Sequence, residues 1–386
     1  MKAVLLETFG APESFSIGEI PTPAVRPGHV LIRVAASSVN PIDARIRQGL
    51  MPNLAPPAPV VLHGDVAGTV EAVGEGVTKF RPGDEVYGLA GGFKGFGGAL
   101  AEYMLADAEL IARKPASLSM SEAAGPPRGG VTPRPGPVGP GRAAPRPAGL
   151  VAAPPGSRAA GGPPPPPPPP PRQGAEPPAL PVVALTAWQG LFDRARLQPG
   201  QQVLVHAAAG GVGHIAIQLA KWGGADVFAT ASSGAKLDIA SRLGADGVIN
   251  YRTEPVEDYV RRCSDGGQGF GVVFDTVGKD NLDRSFAAAR TGGHVVAIAA
   301  RSTHDLSPLH AKGLTLHVVF TVLPLLTGVG RKHQGETLER LARLADEGHL
   351  RPLLDEQRYT FRDAAGAHRR LESGSAIGKV VLTNDL

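Results

Sequence analysis

The apolar positions change rhythm along the chain. Over residues 1–113 short apolar runs are cut by glycine and proline, as in Val30-Leu31-Ile32-Arg33-Val34 and Gly68-Thr69-Val70-Glu71-Ala72-Val73. Arg81-Pro82-Gly83-Asp84 then turns the chain into Glu85-Val86-Tyr87-Gly88. Short runs bounded by turn residues predict a mostly β region. From Leu180 onward apolar strands alternate with helix-length amphipathic segments. Val203–His206 predicts a strand, Ile215–Lys221 a helix and Asp226–Thr230 a strand. Further strands are expected at Gly271–Asp275, His294–Ala299 and Leu314–Phe320, a helix over Gly335–Glu347 ending at Gly348, and a last strand at Gly378–Leu382. This alternation is that of a parallel α/β sheet.

Between the two regions, residues 125–178 hold 21 prolines, 11 glycines, 8 alanines and 6 arginines among 54 positions, with no aromatic residue. Such a stretch has too little to bury against the entropy of ordering, so it reads as a low-complexity, disordered insert. Ser119-Met120-Ser121-Glu122 has capping-box spacing and predicts a helix start. Gly125-Pro126-Pro127 cuts it off, and an apolar run resumes at Ala179-Leu180-Pro181-Val182-Val183, as though one segment had been split. The other 332 residues suffice for two ordinary domains.

Setting the insert aside changes the charge as well. It carries six arginines and one glutamate, so the net charge falls from +4 for the whole chain to −1 for the rest. Global basicity therefore gives no support to a nucleic-acid partner. One cysteine, Cys263, excludes an intramolecular disulfide framework and a multi-cysteine zinc lobe. No apolar run reaches the ~18 residues of a membrane span, and Glu7 comes too early for a signal peptide. A cytoplasmic protein with no membrane partner is expected.

The candidate chemistry lies in His206-Ala207-Ala208-Ala209-Gly210-Gly211-Val212-Gly213-His214, between a predicted strand and a predicted helix. There Gly210 lets the backbone approach a pyrophosphate, Gly213 permits close helix–strand packing, and the free helix N–H groups bind the anion. Ala208 replaces the first glycine of the strict Gly-x-Gly-x-x-Gly form. About 20 residues on, NAD sites place a carboxylate for the ribose 2′-hydroxyl. Here the second strand ends Ala229-Thr230-Ala231-Ser232-Ser233-Gly234-Ala235-Lys236, with hydroxyls, a lysine and no acid. That selects NADPH, since a carboxylate would repel the 2′-phosphate. No His-Glu-x-x-His, Gly-x-Ser-x-Gly or complete P-loop occurs.

Taken in order, Ser38-Val39-Asn40-Pro41-Ile42-Asp43 with Arg47-Gln48-Gly49, Gly64-Asp65-Val66-Ala67-Gly68, Gly98–Tyr103 and Leu185-Thr186-Ala187-Trp188 belong together with the glycine-rich turn. So do Leu243–Asp246, Val273–Gly278 and Gly378–Val381. This series resembles the zinc-independent quinone oxidoreductase (zeta-crystallin-like) branch of the medium-chain dehydrogenase/reductase superfamily. The resemblance covers residues 1–124 and 179–386. It implies an α/β protein: a Rossmann doubly wound parallel sheet over 179–324, and a mostly β GroES-like catalytic domain formed by 1–124 and the return of the chain over 325–386. Zinc-dependent relatives carry Gly-His-Glu-x-x-Gly where this chain reads His63-Gly64-Asp65-Val66-Ala67-Gly68, and a cysteine ligand where it reads Asn40-Pro41. The implied enzyme therefore uses NADPH and no zinc.

By the same resemblance Asn40 and Thr186 would lie near the nicotinamide, Ser232 and Lys236 at the 2′-phosphate, and Tyr251 beside the adenosine. Ala209, Gly210, Gly211, Val212 and Gly213, with Val277 and Phe320, would complete the cofactor site. Asn40 is the candidate hydrogen-bond donor to the acceptor, and Asp43 and Arg47 are expected to pair and hold its loop. Met51 stands near where several relatives carry a tyrosine acid, so no tyrosine supplies a proton there. The implied substrate is a quinone or similar conjugated carbonyl. The alternatives are reduction of an enone or enoyl-thioester double bond on the same fold, or NADPH binding without significant turnover. The apolar run Leu314–Phe320 would be an exposed sheet edge, which suits a homodimer.

The insert yields its own test. Closing a flexible loop of this length costs on the order of 3.5 kcal/mol plus a constant, a sizeable share of a typical ~5–15 kcal/mol stability. Joining Ala124 directly to Ala179 should raise the melting temperature and preserve or improve NADPH binding. A deletion variant that fails to fold would show instead that the segment is integral, for instance as a proline-rich ligand for a partner domain.

Overall fold

The computed structural model describes residues 1–56, 59–118 and 179–386. The helix expected from Ser119 and the whole 125–178 stretch lie outside these residues. The N-terminal strands β1 (Lys2–Leu6) and β2 (Phe15–Glu19) pair antiparallel. The long strand β3 (His29–Ser38) leads into helix α1 (Pro41–Arg47), where Pro41 presets the first helical φ and the Asp43 carboxylate accepts the Asn40 N–H at 2.8 Å. Strands β4 (Asp65–Val73), β5 (Glu85–Leu89), β6 (Tyr103–Asp107) and β7 (Ile111–Arg113) follow, as the glycine and proline punctuation predicts.

The second half opens with α2 (Pro181–Trp188), which runs on as a π-helical stretch over Gln189–Arg194. Strands β8 (Gln202–Val205), β9 (Asp226–Ala231), β10 (Gly247–Asn250), β11 (Phe270–Asp275), β12 (Ala289–Ala297) and β13 (Thr315–Val318) then alternate with helices. These are α3 (Gly213–Trp222), α4 (Gly234–Arg242), α5 (Val256–Cys263), α6 (Asp280–Ala288) and α7 (Ser307–Lys312). The six strands form one parallel sheet in the order β10-β9-β8-β11-β12-β13, with β13 at the edge. The chain returns through α8 (Leu323–Thr327), α9 (Arg331–Asp346), β14 (Tyr359–Thr360), α10 (Ala364–Glu372) and β15 (Val381–Thr383). β15 pairs antiparallel with β3, so the last strand completes the first sheet, whose order is β14-β15-β3-β4-β5-β7 with β6 also on β3.

Two expected strands come out shorter. The run predicted over Leu314–Phe320 stops at Val318. The run over Gly378–Leu382 begins only at Val381, because Gly378 is left-handed at φ +71° and a side chain there would strike the Leu353 carbonyl. One hydrophobic core runs through both sheets, joining Val30, Val66 and Leu382 to Val183, Val203 and Ile217. A second core lies between β11 and β12 and helices α5 and α6, around Phe270, Phe286 and Tyr259. The described residues fall within one compact unit. Among them no helix is long and apolar enough to cross a membrane.

Candidate functional site

In a doubly wound sheet the ligand crevice opens at the carboxyl ends of the strands, where the strand order reverses. Here that point lies between β8 and β11, and the loop after β8 is the glycine-rich turn. Its tight start rests on Ala207, held at φ +54°, whose carbonyl accepts the Gly210 N–H at 2.9 Å. A Cβ on Gly213 would lie 2.2 Å from the same carbonyl oxygen, so helix α3 can begin here only from glycine. Ala208, which replaces the usual first glycine, is fully buried and donates its N–H to Thr230 O at 3.0 Å. Ala209 is buried too, whereas the N–H groups of Gly211 and Val212 meet no acceptor among the described residues. That leaves two backbone donors and a helix N-terminus facing the crevice, a ready site for an anion.

The other expected cofactor residues lie along the same edge. Ser232 follows the end of β9 and Tyr251 the end of β10, and the parallel register sets Ala231 beside Asn250. Val277 follows β11, where Asp275 Oδ1 accepts the Val277 and Gly278 N–H groups at 2.7 and 2.8 Å. Phe320 follows β13. Tyr251, Val277 and Phe320 are 44%, 48% and 36% exposed. Lys236 stands in the first turn of α4, and no acidic residue lies in that turn. A cation near a helix N-terminus opposes the dipole by ~0.3–1 kcal/mol, and an anion bound between them would offset that cost.

Thr186 and Asn40 sit deeper. Thr186 is buried on α2, donates to Val182 O at 2.6 Å and meets Thr321 Oγ1 at 2.7 Å, a partner from just beyond β13 that no local pattern announces. Asn40 is buried in a polar cluster around Asp65, at the start of β4. Asp65 Oδ2 accepts from Ser38 Oγ at 2.6 Å and Asn40 Nδ2 at 2.9 Å, and lies 3.5 Å from the Lys379 ammonium. Asp65 Oδ1 accepts the Val182 N–H at 2.9 Å and so caps α2. Lys379 Nζ donates also to Val39 O at 3.0 Å and to Asn40 Oδ1, and its stem would lie 3.4 Å from a Cβ on Gly211. The second Asn40 N–H makes only a long bond, 3.4 Å to Ser38 O. Sequence reasoning passed over Lys379; its signal was a lysine in the last strand segment, directly after a glycine.

The expected pairing of Asp43 with Arg47 is not formed. Asp43 turns back to cap its own helix, and its Oδ1 has no partner among the described residues. Arg47 reaches the other way, to Glu372, to Gly10 O and to His368 Nδ1 at 3.3 Å. His368 Nε2 lies 3.0 Å from His63 Nε2, and His63 Nδ1 lies 3.3 Å from Ser37 Oγ. Because Arg47 can only donate, the chain of bonds has one direction: His368 donates to His63, His63 to Ser37, and Ser37 to Asp65 O at 2.6 Å. His63 holds φ +72°, so these bonds also retain a strained backbone. Burial keeps His63 neutral well below its usual range and lowers His368 to about 3. Burial likewise lowers His206, beside Thr230 Oγ1, and His214 to about 4 each. Burial raises Asp43 to about 7, with the Asp65 charge pushing the same way, and lowers Lys379 against the pull of both carboxylates. An open cavity of about 550 Å³ lined by Arg194, Arg196, His294 and His317 contains none of the expected residues.

Comparison with known proteins agrees with the fold. Residues 26–116 match the alcohol dehydrogenase GroES-like domain and residues 243–382 the zinc-binding dehydrogenase domain. The 2-methylene-furan-3-one reductase of Solanum lycopersicum is 30% identical over 391 residues, covering 99% of this chain and 79% of that protein. An alcohol dehydrogenase superfamily protein from Novosphingobium aromaticivorans superposes with a TM-score of 0.81 at 35% identity, covering 99% of both chains. The Escherichia coli quinone oxidoreductase, solved with NADPH, superposes with a TM-score of 0.75 at 26% identity, covering 99% of this chain and all of that one.

The buried acid gives a pH prediction. Asp43 binds its proton more tightly folded than unfolded, so its contribution to stability is present below about pH 4 and is lost as the pH rises towards 7. The histidines lowered by burial act in the opposite sense, which makes the difference between variants the useful quantity. Asp43→Asn, which keeps the cap acceptor without the charge, should gain melting temperature over the unmodified protein as pH rises from 4 to 7. A difference independent of pH would show that Asp43 is ionised throughout.

Proposed function

The chain belongs to the quinone oxidoreductase-like branch of the medium-chain dehydrogenase/reductase superfamily, and from that premise we propose that it uses NADPH to reduce quinones or carbonyl-conjugated double bonds. The observation that carries the reading is the crevice at the carboxyl edge of β8 and β11, where the glycine-rich turn stands over the Lys379–Asn40–Asp65 cluster. Gly210, Gly211, Val212 and Gly213 fit a pyrophosphate, Ser232 and Lys236 a 2′-phosphate, and Tyr251 the adenosine. Val277 and Phe320, exposed at the edge, give the cofactor apolar walls, and Thr186 stands at the nicotinamide end.

NADPH supplies the hydride. The protein's part is to hold donor and acceptor carbon about 3–3.5 Å apart and keep water out. Negative charge then grows on the acceptor oxygen. It is countered by the buried Lys379 ammonium and by the Asn40 N–H that is held only at 3.4 Å. The donor set does not fit a catalytic zinc. Asn40 and Gly64 replace ligand residues, Asp65 is engaged by three hydrogen bonds and an ammonium, and both His63 nitrogens are bonded. We assign the reaction to a metal-free site accordingly.

The relatives' names include a 2-methylene-furan-3-one reductase and a quinone oxidoreductase, so both kinds of acceptor stand as candidates. Steady-state oxidation of NADPH with a small quinone and with a small enone separates them; tight NADPH binding with turnover of neither would leave a binding protein. Lys236→Ala should weaken NADPH binding by about one to two decades, the worth of a charge-assisted contact, and leave NADH nearly unchanged. Equal losses for both cofactors would sink the 2′-phosphate assignment.

The exposed edge strand β13, with Val318 53% exposed, supports a homodimer formed by continuing the sheet into a second copy. Light scattering at micromolar concentration should give twice the chain mass, and a monomer would count against it.

A further inference from the structure

After α9 the chain crosses back over the dinucleotide-binding half, and two side chains one turn apart on α3 hold its backbone. Gln218 donates to Arg351 O at 3.0 Å and accepts the Arg351 N–H at 2.9 Å. His214, fully buried, accepts the Leu353 N–H on Nε2 at 2.9 Å, so its proton sits on Nδ1, which donates to Gly210 O at 2.9 Å. Leu353 O in turn accepts the Lys379 N–H at 2.8 Å, and the Gly378 N–H donates to Ala209 O at 2.8 Å. The circuit closes on itself: Gly210, His214, Leu353, Lys379, Gly378 and Ala209 form a ring of hydrogen bonds. One arc of that ring is the glycine-rich turn, and another carries the lysine whose ammonium rests on Asn40 and Asp65.

We infer that His214, assisted by Gln218, is the positioning residue that sets the height of the glycine-rich turn over the Lys379–Asn40–Asp65 cluster. The inference rests on the NADPH-dependent reading. The turn fixes the cofactor and the cluster faces the acceptor, so the ring registers hydride donor against acceptor. A misplacement of ~1 Å in such a pair costs about 100-fold in rate. The imidazole suits this role because it both donates back to the turn and accepts from the returning strand. An apolar side chain of similar size would fill the space but take the acceptor from the partly buried Leu353 N–H.

The test compares unmodified protein with His214→Leu, His214→Gln and Gln218→Met. It measures NADPH affinity by fluorescence titration, kcat with a small quinone and a small enone, and amide hydrogen exchange of the cofactor-free protein. We expect kcat to fall roughly 10- to 100-fold in His214→Leu, NADPH affinity to change by less than the rate, and His214→Gln to recover most of the loss. Exchange at Leu353 and Lys379 should accelerate in His214→Leu and at Arg351 in Gln218→Met. A kcat for folded His214→Leu within about twofold of the unmodified protein, or equal losses in the Leu and Gln variants, would overturn the inference. If His214→Leu does not fold, Gln218→Met carries the comparison, and undisturbed exchange at Arg351 in it refutes the inference. Failure of the unmodified protein to bind NADPH or reduce either acceptor would instead refute the reading on which the inference rests, and the exchange measurement would still decide whether the ring exists.

Discussion

The ammonium of Lys379 is buried between the two halves of the fold, against Asp65 and the Asn40 amide. A charge in such a place is tolerable only when it is paired and hydrogen-bonded, and removing one partner of a buried pair typically costs ~3–5 kcal/mol. That constraint reaches far along the chain. Asp65 begins β4 and caps α2, Asn40 precedes α1, Val39 lends a carbonyl, and Lys379 comes from the last turn before β15. Three separate parts of the chain, at residues 39–40, 65 and 379, must meet before the charge is satisfied. Burial raises Asp43 to about 7, which opposes a second negative charge in the cluster.

The catalytic reading grows from the same point. The parallel sheet gathers Gly210–Gly213, Ser232, Tyr251, Val277 and Phe320 along one edge, because every strand ends there and every loop that follows must pass there. The antiparallel sheet brings Asn40 and Asp65 up from the other side. Lys379 joins them, with its stem beside Gly211 and its charge beside Asn40. A cofactor and an acceptor in direct contact would then lie beside groups already fixed in place, which is what electrostatic preorganisation requires.

Much of this was legible in the sequence, and the division follows the range of the interactions. The glycine-rich turn, the strand–helix alternation and the missing carboxylate after β9 are local features, set by backbone sterics and side-chain period over a few residues. The Arg81–Asp84 turn into β5 was readable for the same reason. Lys379 was not, since its partners Val39 and Asn40 stand some 340 positions away. Asp43 and Arg47, expected to pair and hold the Asn40 loop, find other partners. The helix start claimed the acid for its cap, and α10, distant in sequence, supplied Glu372 to the arginine. Thr321, His63 with His368, and the grip of His214 on Leu353 are likewise products of tertiary assembly.

The central claim is direct, metal-free transfer of hydride from NADPH to a conjugated acceptor. It is tested most directly with NADPH carrying deuterium at both C4 positions, a small enone and protein freed of metal by a chelator, the product being read by mass spectrometry. The account predicts undiminished turnover and one deuterium on the β-carbon of the saturated product. Loss of turnover on chelation that zinc restores, or a reduced product without deuterium from the cofactor, would contradict it.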